Sequence, residues 1–283
     1  MPKNNAIKES LQESFLTIKK NKKAFLLLFI LQAAFISLIS LINITYQSKM
    51  LESTQAIIEY LDELKFDQTS VGLDILEKKS PLGPDPLLIS RNFSSILYNL
   101  KFLIFYSLAA FILFNGFIWF LTGNLVNKNP FNLKKMKIFF KIFLIFINKF
   151  GFITLIFSFL IYLFGYSTLK SFLNPSSTQN ANFAPLLLIA LALFYFMYVA
   201  FPLLYNTKLK NILKNLFKIG IKKAHIILSA YLIIILAIST FSLLFFYLIE
   251  KNLFLLLTSA AFIVLILVWS RLFLILVVEK LNN

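Results

Sequence analysis

Cysteine is absent from the 283-residue chain, and histidine occurs once, as His225. The first absence excludes disulfide bonds, thiolate metal sites and cysteine nucleophiles, and a single histidine cannot make a histidine-rich metal site. Glycine is scarce, with seven residues, so close glycine contacts between helices should be few. The sequence also lacks a glycine-rich phosphate loop and a nucleophile elbow. These absences argue against an enzyme, and we expect neither a cofactor nor a metal.

Charged residues are scarce as well, at 14% of the chain, whereas hydrophobic residues make up 59%. An ordinary soluble domain has roughly 25% charged and 45–50% apolar residues. Phenylalanine alone accounts for 34 residues. The composition therefore predicts an all-α integral membrane protein, a bundle whose helices pack through bulky side chains.

Six segments have close to the roughly 20 apolar residues that a helix needs to cross the hydrocarbon core. The third is irregular, because Lys141, Asn148 and Lys149 interrupt its apolar run, and it could start near Ile142 with Lys149 reaching back to the interface. A basic segment, residues 1–23, precedes the first; its length and the lack of a cleavage site favour a retained signal anchor over a cleaved signal peptide. We place the spans at residues 24–44, 102–122, 150–166, 186–205, 226–247 and 253–274.

Lysine-rich connections alternate with less basic ones along the chain. Residues 1–23, 123–149 and 206–225 carry six lysines each, whereas the two short intervening connections carry one each, Lys170 and Lys251, and the long first loop is acidic in balance. By the positive-inside rule, both termini should face the cytoplasm and the protein should lie in the cell membrane. The formal charge of +16 then indicates anionic lipids of the cytoplasmic leaflet as partner, and not nucleic acid.

Acidic residues concentrate in the long connection at residues 45–101, which holds eight of the twelve acids. Helical spacing of its apolar residues near 50–64 predicts an amphipathic helix that could continue span one outward. The PLGPDP stretch at 81–86 should break the chain before a helix that leads into span two. This extracytoplasmic loop has too few apolar residues for its own core, so it should lie against the outer ends of the spans or against a partner.

The three basic connections also resemble one another in sequence. The odd-numbered spans begin KNKKAFLLL, FINKFGFITL and GIKKAHIIL, and aligning Lys22, Lys149 and Lys222 also aligns a small residue after each. An amphipathic basic stretch precedes each boundary, most clearly TKLKNILKNLFKIGIKKAH at 207–225. This pattern indicates three repeated hairpins, each preceded by an interfacial helix, although inner boundaries could also look alike for reasons of charge alone.

With these boundaries and the WSRLFLILVVEK stretch of the last span, the chain resembles uncharacterised archaeal and bacterial six-span membrane proteins. Among them is the membrane domain fused to some glycerophosphodiester phosphodiesterases. The catalytic barrel of those enzymes is absent from this chain, so the resemblance implies a membrane module without catalysis.

Several residues are candidates for functional contacts. Arg271 could snorkel to the inner interface beside Trp269, or it could lie deep and need a partner such as an anion. Gln32 and Asn115 are intramembrane polar residues that could bond between helices or line a path. Pro202 should kink span four or end it early, and could act as a hinge. Contact with lipid head groups is expected for Lys210, Lys214, Lys218, Lys222, Lys223 and His225.

Two functions remain open at this point. The first is a non-enzymatic multi-pass protein that supports the bilayer or a membrane complex, with a membrane-protein partner or as a homo-oligomer. The second is a small-molecule or lipid transporter, with Arg271, Asn115 and Gln32 along its path. Convergence of these three residues on a cavity in the middle of the membrane would favour transport.

Overall fold

The structure is a computed structural model, and it describes residues 5–63, 85, 87–127, 136–173, 184–249 and 251–282. All regular structure within these ranges is helical. The π-helical segment Phe111–Asn115 lies between α3 and α4. The helices are α1 (Asn5–Lys20), α2 (Lys22–Glu63), α3 (Leu87–Ala110), α4 (Gly116–Val126), α5 (Met136–Leu173), α6 (Ala184–Asn206), α7 (Leu209–Gly220), α8 (Ala224–Leu248) and α9 (Leu253–Asn282).

Six helical segments are long and apolar enough to cross a membrane. Since an apolar helix satisfies all its backbone hydrogen bonds internally, such segments are stable in hydrocarbon. The prediction of an all-α bundle with six membrane-spanning helices is confirmed, and the chain is a multi-pass membrane protein. The segments are Lys22–Glu63, Leu87–Val126, Lys137–Tyr166, Leu187–Tyr205, Ala224–Leu248 and Leu253–Asn282.

Two of the spanning helices are much longer than a bilayer requires. Helix α2 has 42 residues, or about 63 Å at 1.5 Å per residue, which is twice the thickness of a hydrocarbon core of about 30 Å. Helix α5 has 38 residues. The amphipathic stretch before span three is therefore not a separate helix. No proline interrupts the chain between Met136 and Leu173, and Asn148 and Gly151 lie inside the continuous helix.

The stretches before spans one and five do form separate helices. Helix α1 ends at Lys20 and α2 begins at Lys22, so that only Asn21 separates them, and α7 is followed by a turn at residues 221–223. Lysines 128, 134 and 135 of the middle connection lie outside the described residues, as does most of the loop at 64–86, including most of its PLGPDP stretch.

The described residues divide into two compact units, of which the larger comprises Met1–Ala33 and Ile112–Asn283. Helix α9 is its central element, since it packs against α1, α4, α6, α7 and α8. The second half of α9 is almost fully buried from Leu272 to Val278. Aromatic rings fill much of the remaining core, as the composition predicts: Phe120 contacts Phe139, Phe143 and Phe146.

The smaller unit, Ala34–Phe111, is the pair formed by the outer part of α2 and α3. The ring of Tyr46 stacks on Phe102 and Tyr106, and farther out the Ser53 hydroxyl donates to the Ser95 hydroxyl at 3.0 Å. The backbone N–H of Asp85 donates to the Tyr60 hydroxyl. The acidic connection thus begins and ends as paired helices and not as an irregular loop.

Candidate functional site

Arg271 of α9 and Gln32 of α2 form the most unusual polar contact in the larger unit. The guanidinium donates to Gln32 Oε1 at 2.5 Å, and Gln32 is 3% exposed. The Trp119 ring of α4 lies beside them, with its centroid 6.0 Å from the guanidinium carbon. A cation near the face of a tryptophan ring is attracted by the ring's quadrupole, so Trp119 stabilises the charge without neutralising it.

The helical rise locates this cluster in the membrane. Gln32 follows Lys23 by nine residues and Arg271 precedes Lys280 by nine, which is about 13 Å along each helix. Since the hydrocarbon core is about 30 Å thick, the pair lies near its middle if these lysines mark its boundary. This geometry fits the interpretation of Arg271 as a deep residue with a partner, because the helix continues inward through buried apolar residues beyond it.

No carboxylate of the described residues pairs with Arg271. The buried positive charge is held only by a neutral amide oxygen and an indole ring, which is a weak arrangement for a charge removed from water. The indole N–H of Trp119 likewise lacks a hydrogen-bond partner in the described part of the chain.

Asn115 lies one helical turn before Trp119, at the end of the π-helical segment. It is 2% exposed, and its Oδ1 atom has no hydrogen-bond partner in the described ranges. The structure therefore brings Gln32 and Arg271 together, whereas the Oδ1 atom of Asn115 bonds to neither of them. Pro202 is buried in α6, which continues for one more turn to Asn206 and is not ended by the proline.

A cleft of about 1110 Å³ opens at the end of the larger unit where α1 meets the start of α2. We call it the inner cleft. Its floor includes Leu28, which lies one turn before Gln32 on α2, but neither Gln32, Asn115 nor Arg271 lines it. Its walls come from α1, the first residues of α2, the last turns of α4, Phe139 of α5 and Lys280 of α9.

Polar contacts join the helices at this same end of the unit. Lys280 bridges Glu9 and Glu13 of α1, with its Nζ atom 3.3 and 3.2 Å from their carboxylate oxygens. The Lys223 ammonium donates to the backbone carbonyl of Leu281. Lys149 donates to the carbonyl of Thr207, at 3.1 Å. Boundary lysines on two connections and at the end of α9 thus bind protein groups, and these contacts join the helices at this end of the unit.

Helix α1 is docked on α9 through small residues. Ser10 and Ser14 are fully buried there, and the Trp269 indole N–H donates to the Ser14 hydroxyl at 3.0 Å. Phe15 stacks on the outer face of Trp269 and remains 58% exposed. The buried serines of α1 therefore form the part of the helix that packs most closely on α9.

Helix α7 divides its surface into three parts. Ile212, Leu216 and Ile219 are buried at 0–3% exposure. The remaining apolar residues, Leu209, Leu213 and Phe217, are 39–60% exposed. The side opposite the buried face carries exposed Lys210, Lys214 and Lys218, and exposed Lys222 and His225 follow the helix.

Sequence reasoning did not identify Trp119, the inner cleft or the Lys280 bridge. A tryptophan in an apolar span is usually assigned to an interface, and lysines near span ends are usually assigned to lipid. The spacing of Ser10 and Ser14, four residues apart in a polar helix, is the one signal that indicates a close helix contact.

The arrangement offers cations and amides, and little that could perform acid–base or metal chemistry. Within the described ranges, no group of three or more His, Asp or Glu side chains could hold a metal ion. Comparison of the chain with models of known protein families, with curated proteins and with solved structures finds no match.

Proposed function

We propose that the chain is a non-enzymatic multi-pass membrane protein whose lysine-rich end binds anionic lipids of the adjoining leaflet, and that it supports the bilayer or a membrane complex through this contact. By the positive-inside rule we assign that end, with both termini, to the cytoplasmic side of the cell membrane. The single observation that carries the proposal is the surface of α7.

The exposed apolar part of α7 needs hydrocarbon, and the lysines beside it need water or head groups. Leu213 and Phe217 are more than half exposed and lie next to exposed Lys214 and Lys218. A helix with this surface is stable where acyl chains meet head groups. Its buried residues pack against α6, α8 and α9, so the position of the lysines relative to the spanning helices is fixed.

The lysines of α7 are available for lipid. Among the described residues, none of Lys210, Lys214 and Lys218 forms an ion pair. We call these three lysines the collar. An anionic leaflet attracts each nearby lysine with about 1 kcal/mol, so three lysines supply enough free energy to enrich anionic lipid around the protein.

The second candidate function is a small-molecule or lipid transporter, and Arg271 is the observation in its favour, because it lacks a carboxylate partner in the described ranges. Gln32 satisfies part of its hydrogen-bonding capacity, however, and the inner cleft is lined by none of the three intramembrane polar candidates. This distribution supports a binding role over a transport path through the middle of the bundle.

The collar is tested by a triple substitution with a matched control. Full-length protein is reconstituted into bilayers that mix phosphatidylglycerol and phosphatidylcholine, and the two lipids retained after mild extraction are quantified. The K210Q, K214Q, K218Q variant should retain at least about tenfold less phosphatidylglycerol than wild type, since it loses about 3 kcal/mol of attraction. The control removes three exposed lysines from other connections: K49Q, K101Q and K251Q.

The control should retain phosphatidylglycerol as wild type does, and the enrichment in wild type should decrease in high salt, because exposed charges are screened. Equal losses in the two triple variants would mean that total charge, and not the surface of α7, governs retention, and the proposal would be wrong.

A further inference from the structure

We propose that the inner cleft is a binding site for one phospholipid of net charge −1, whose phosphate binds Lys20 and Lys23 and whose acyl chains lie along the leucines of α2 and α4. This inference goes beyond the collar, because the collar attracts many exchanging lipids and the cleft would hold one.

The lining of the cleft changes from charged to apolar with depth. Lys20 and Lys23 lie at the junction of α1 and α2, and Lys280 comes from the end of α9. Leu28 follows Lys23 by five residues, about 7 Å deeper, and Leu121 lies about 9 Å before Asn127, the residue that follows α4. The apolar part of the lining consists largely of Leu16, Leu27, Leu28, Leu121, Leu125, Val126 and Phe139. A phospholipid has the same order of polarity from head group to chain.

The charges of the lining favour an anion of a single charge. Lys280 is occupied by Glu9 and Glu13, which it bridges. Lys20 and Lys23 form no ion pair with any described residue. Three lysines and two glutamates give the lining a net charge of +1, which one phosphodiester neutralises.

Asn124 supplies an independent indication that a ligand is expected. Its Oδ1 atom accepts a hydrogen bond from the Tyr205 hydroxyl at 2.6 Å, which fixes the orientation of the amide. Its Nδ2 atom is buried and has no partner in the described part of the chain, although Asn124 lines the cleft. An unsatisfied buried donor costs about 1–3 kcal/mol. On α4 it stands between Leu121 and Leu125 of the apolar lining, so a polar group of the ligand is needed beside the chains at this position.

A soluble phosphate does not fit the whole cleft. The volume of about 1110 Å³ exceeds the roughly 300–1,000 Å³ of ordinary ligand pockets, and a small anion at the lysines would leave the leucine floor without contacts. In a bilayer the floor is at the level of acyl chains, so hydrocarbon is the molecule available to fill it.

The test measures one-to-one binding of phosphatidylglycerol to delipidated full-length protein in detergent by native mass spectrometry. The K20Q, K23Q variant should bind at least about tenfold more weakly than wild type. The matched control is K19Q, K22Q, which removes two exposed lysines from the same junction that do not line the cleft. It should bind as wild type does.

A second pair of variants tests the chain-binding part. L27W fills the cleft, whereas L26W places the same ring on a neighbouring exposed residue outside it. We expect L27W to lose the bound lipid and L26W to keep it, with both proteins monodisperse on size exclusion. Competition by glycerol phosphate and by diacylglycerol, each at a hundredfold excess, should be weak, because each offers half of the ligand.

Three results would overturn the inference. They are equal losses in the two lysine pairs, full binding by L27W, and displacement by glycerol phosphate as effective as by phosphatidylglycerol, which would make the cleft a site for free phosphate. The α7 variant K210Q, K214Q, K218Q should keep the one-to-one lipid, so failure of the cleft and failure of the collar are separate outcomes.

Discussion

At the scale of single residues, Arg271 shows how a membrane bundle can keep a charge near its middle without an acid among the described residues. A neutral partner leaves the net charge in place, so the guanidinium is stabilised by one charge-assisted hydrogen bond and by the Trp119 ring. Such an arrangement is sensitive to loss of either partner, because the charge that remains has few alternatives in hydrocarbon.

Replacing Gln32 by leucine should therefore destabilise the protein by about 1.5–3 kcal/mol, the contribution of a hydrogen bond to a charged group. The free energy of unfolding is measured by titration with sodium dodecyl sulfate in mixed micelles. Gln47→Leu is the control, since Gln47 lies on the same helix and is exposed.

The double variant Q32L, R271M should recover much of this loss, because it removes the charge together with its partner. A double variant as unstable as the sum of the two single variants would show that the pair is not coupled.

The partner of Arg271 could not be predicted from the sequence. Arg271 and Gln32 are separated by 239 positions, and nothing in the local pattern of either span indicates which helix faces which. The sequence does indicate that each residue is unusual, because polar groups are rare in these spans. The expected depth of Arg271 depends on where the last span ends, and the structure continues this helix to Asn282, in contact with α1.

At the scale of helices, the close approach of α4 to α6 depends on Gly123. A Cβ atom at this position would lie 2.7 Å from the Cδ2 atom of Tyr205, whose ring is held by its hydrogen bond to Asn124. The scarcity of glycine predicts packing through large side chains, and the aromatic core agrees with that. At Gly123, in contrast, the helix backbone itself contacts the neighbouring side chain.

We predict that Gly123→Ala destabilises the protein by about 1–3 kcal/mol, because the tyrosine ring must move and its hydrogen bond is strained. Gly165→Ala on α5 is the matched control, since no other side chain lies within 4 Å of the position that its Cβ atom would take, and alanine favours a helix by roughly 0.5–1 kcal/mol. Thermal unfolding in detergent should lower the midpoint for the first variant and raise it for the second. The same direction for both would contradict the steric argument.

The helices themselves were predictable, and their boundaries less so. Spans of about 20 apolar residues are a local property, so the sequence indicates six of them without knowledge of the packing. Helix boundaries also depend on contacts between distant parts of the chain. Examples are the break between α1 and α2 at Asn21 and the continuity of α5 through Lys149. Lys149 lies inside a continuous helix, where its ammonium donates a hydrogen bond to the carbonyl of Thr207, 58 positions away.

At the scale of the whole molecule, the exposed lysines and the lysine contacts that join helices lie at the same end of the larger unit. Lysines there serve two purposes: Lys149, Lys223 and Lys280 bind protein groups, and those of α7 remain exposed. The threefold repeat and the resemblance to the membrane module of phosphodiesterases both remain predictions. A homo-oligomer or a membrane-protein partner also remains a prediction.

The orientation can be tested with single cysteines, because the chain has none. Asp62→Cys, at the outer end of α2, should react with a membrane-impermeant maleimide in intact cells. Lys214→Cys, on α7, should react only after the membrane is permeabilised. Both positions are exposed, so accessibility depends on the side of the membrane alone. The reverse labelling pattern would place the termini outside.

The chain contains two tryptophans, and their positions make them independent optical reporters. Trp119 is buried beside the Arg271 guanidinium, and Trp269 lies between Phe15 and Phe273 with its indole bonded to Ser14. A W269F protein would emit from the middle of the bundle alone, and a W119F protein from the α1–α9 contact alone. Undocking of α1 would then shift the emission of one protein and leave that of the other unchanged, without any attached dye.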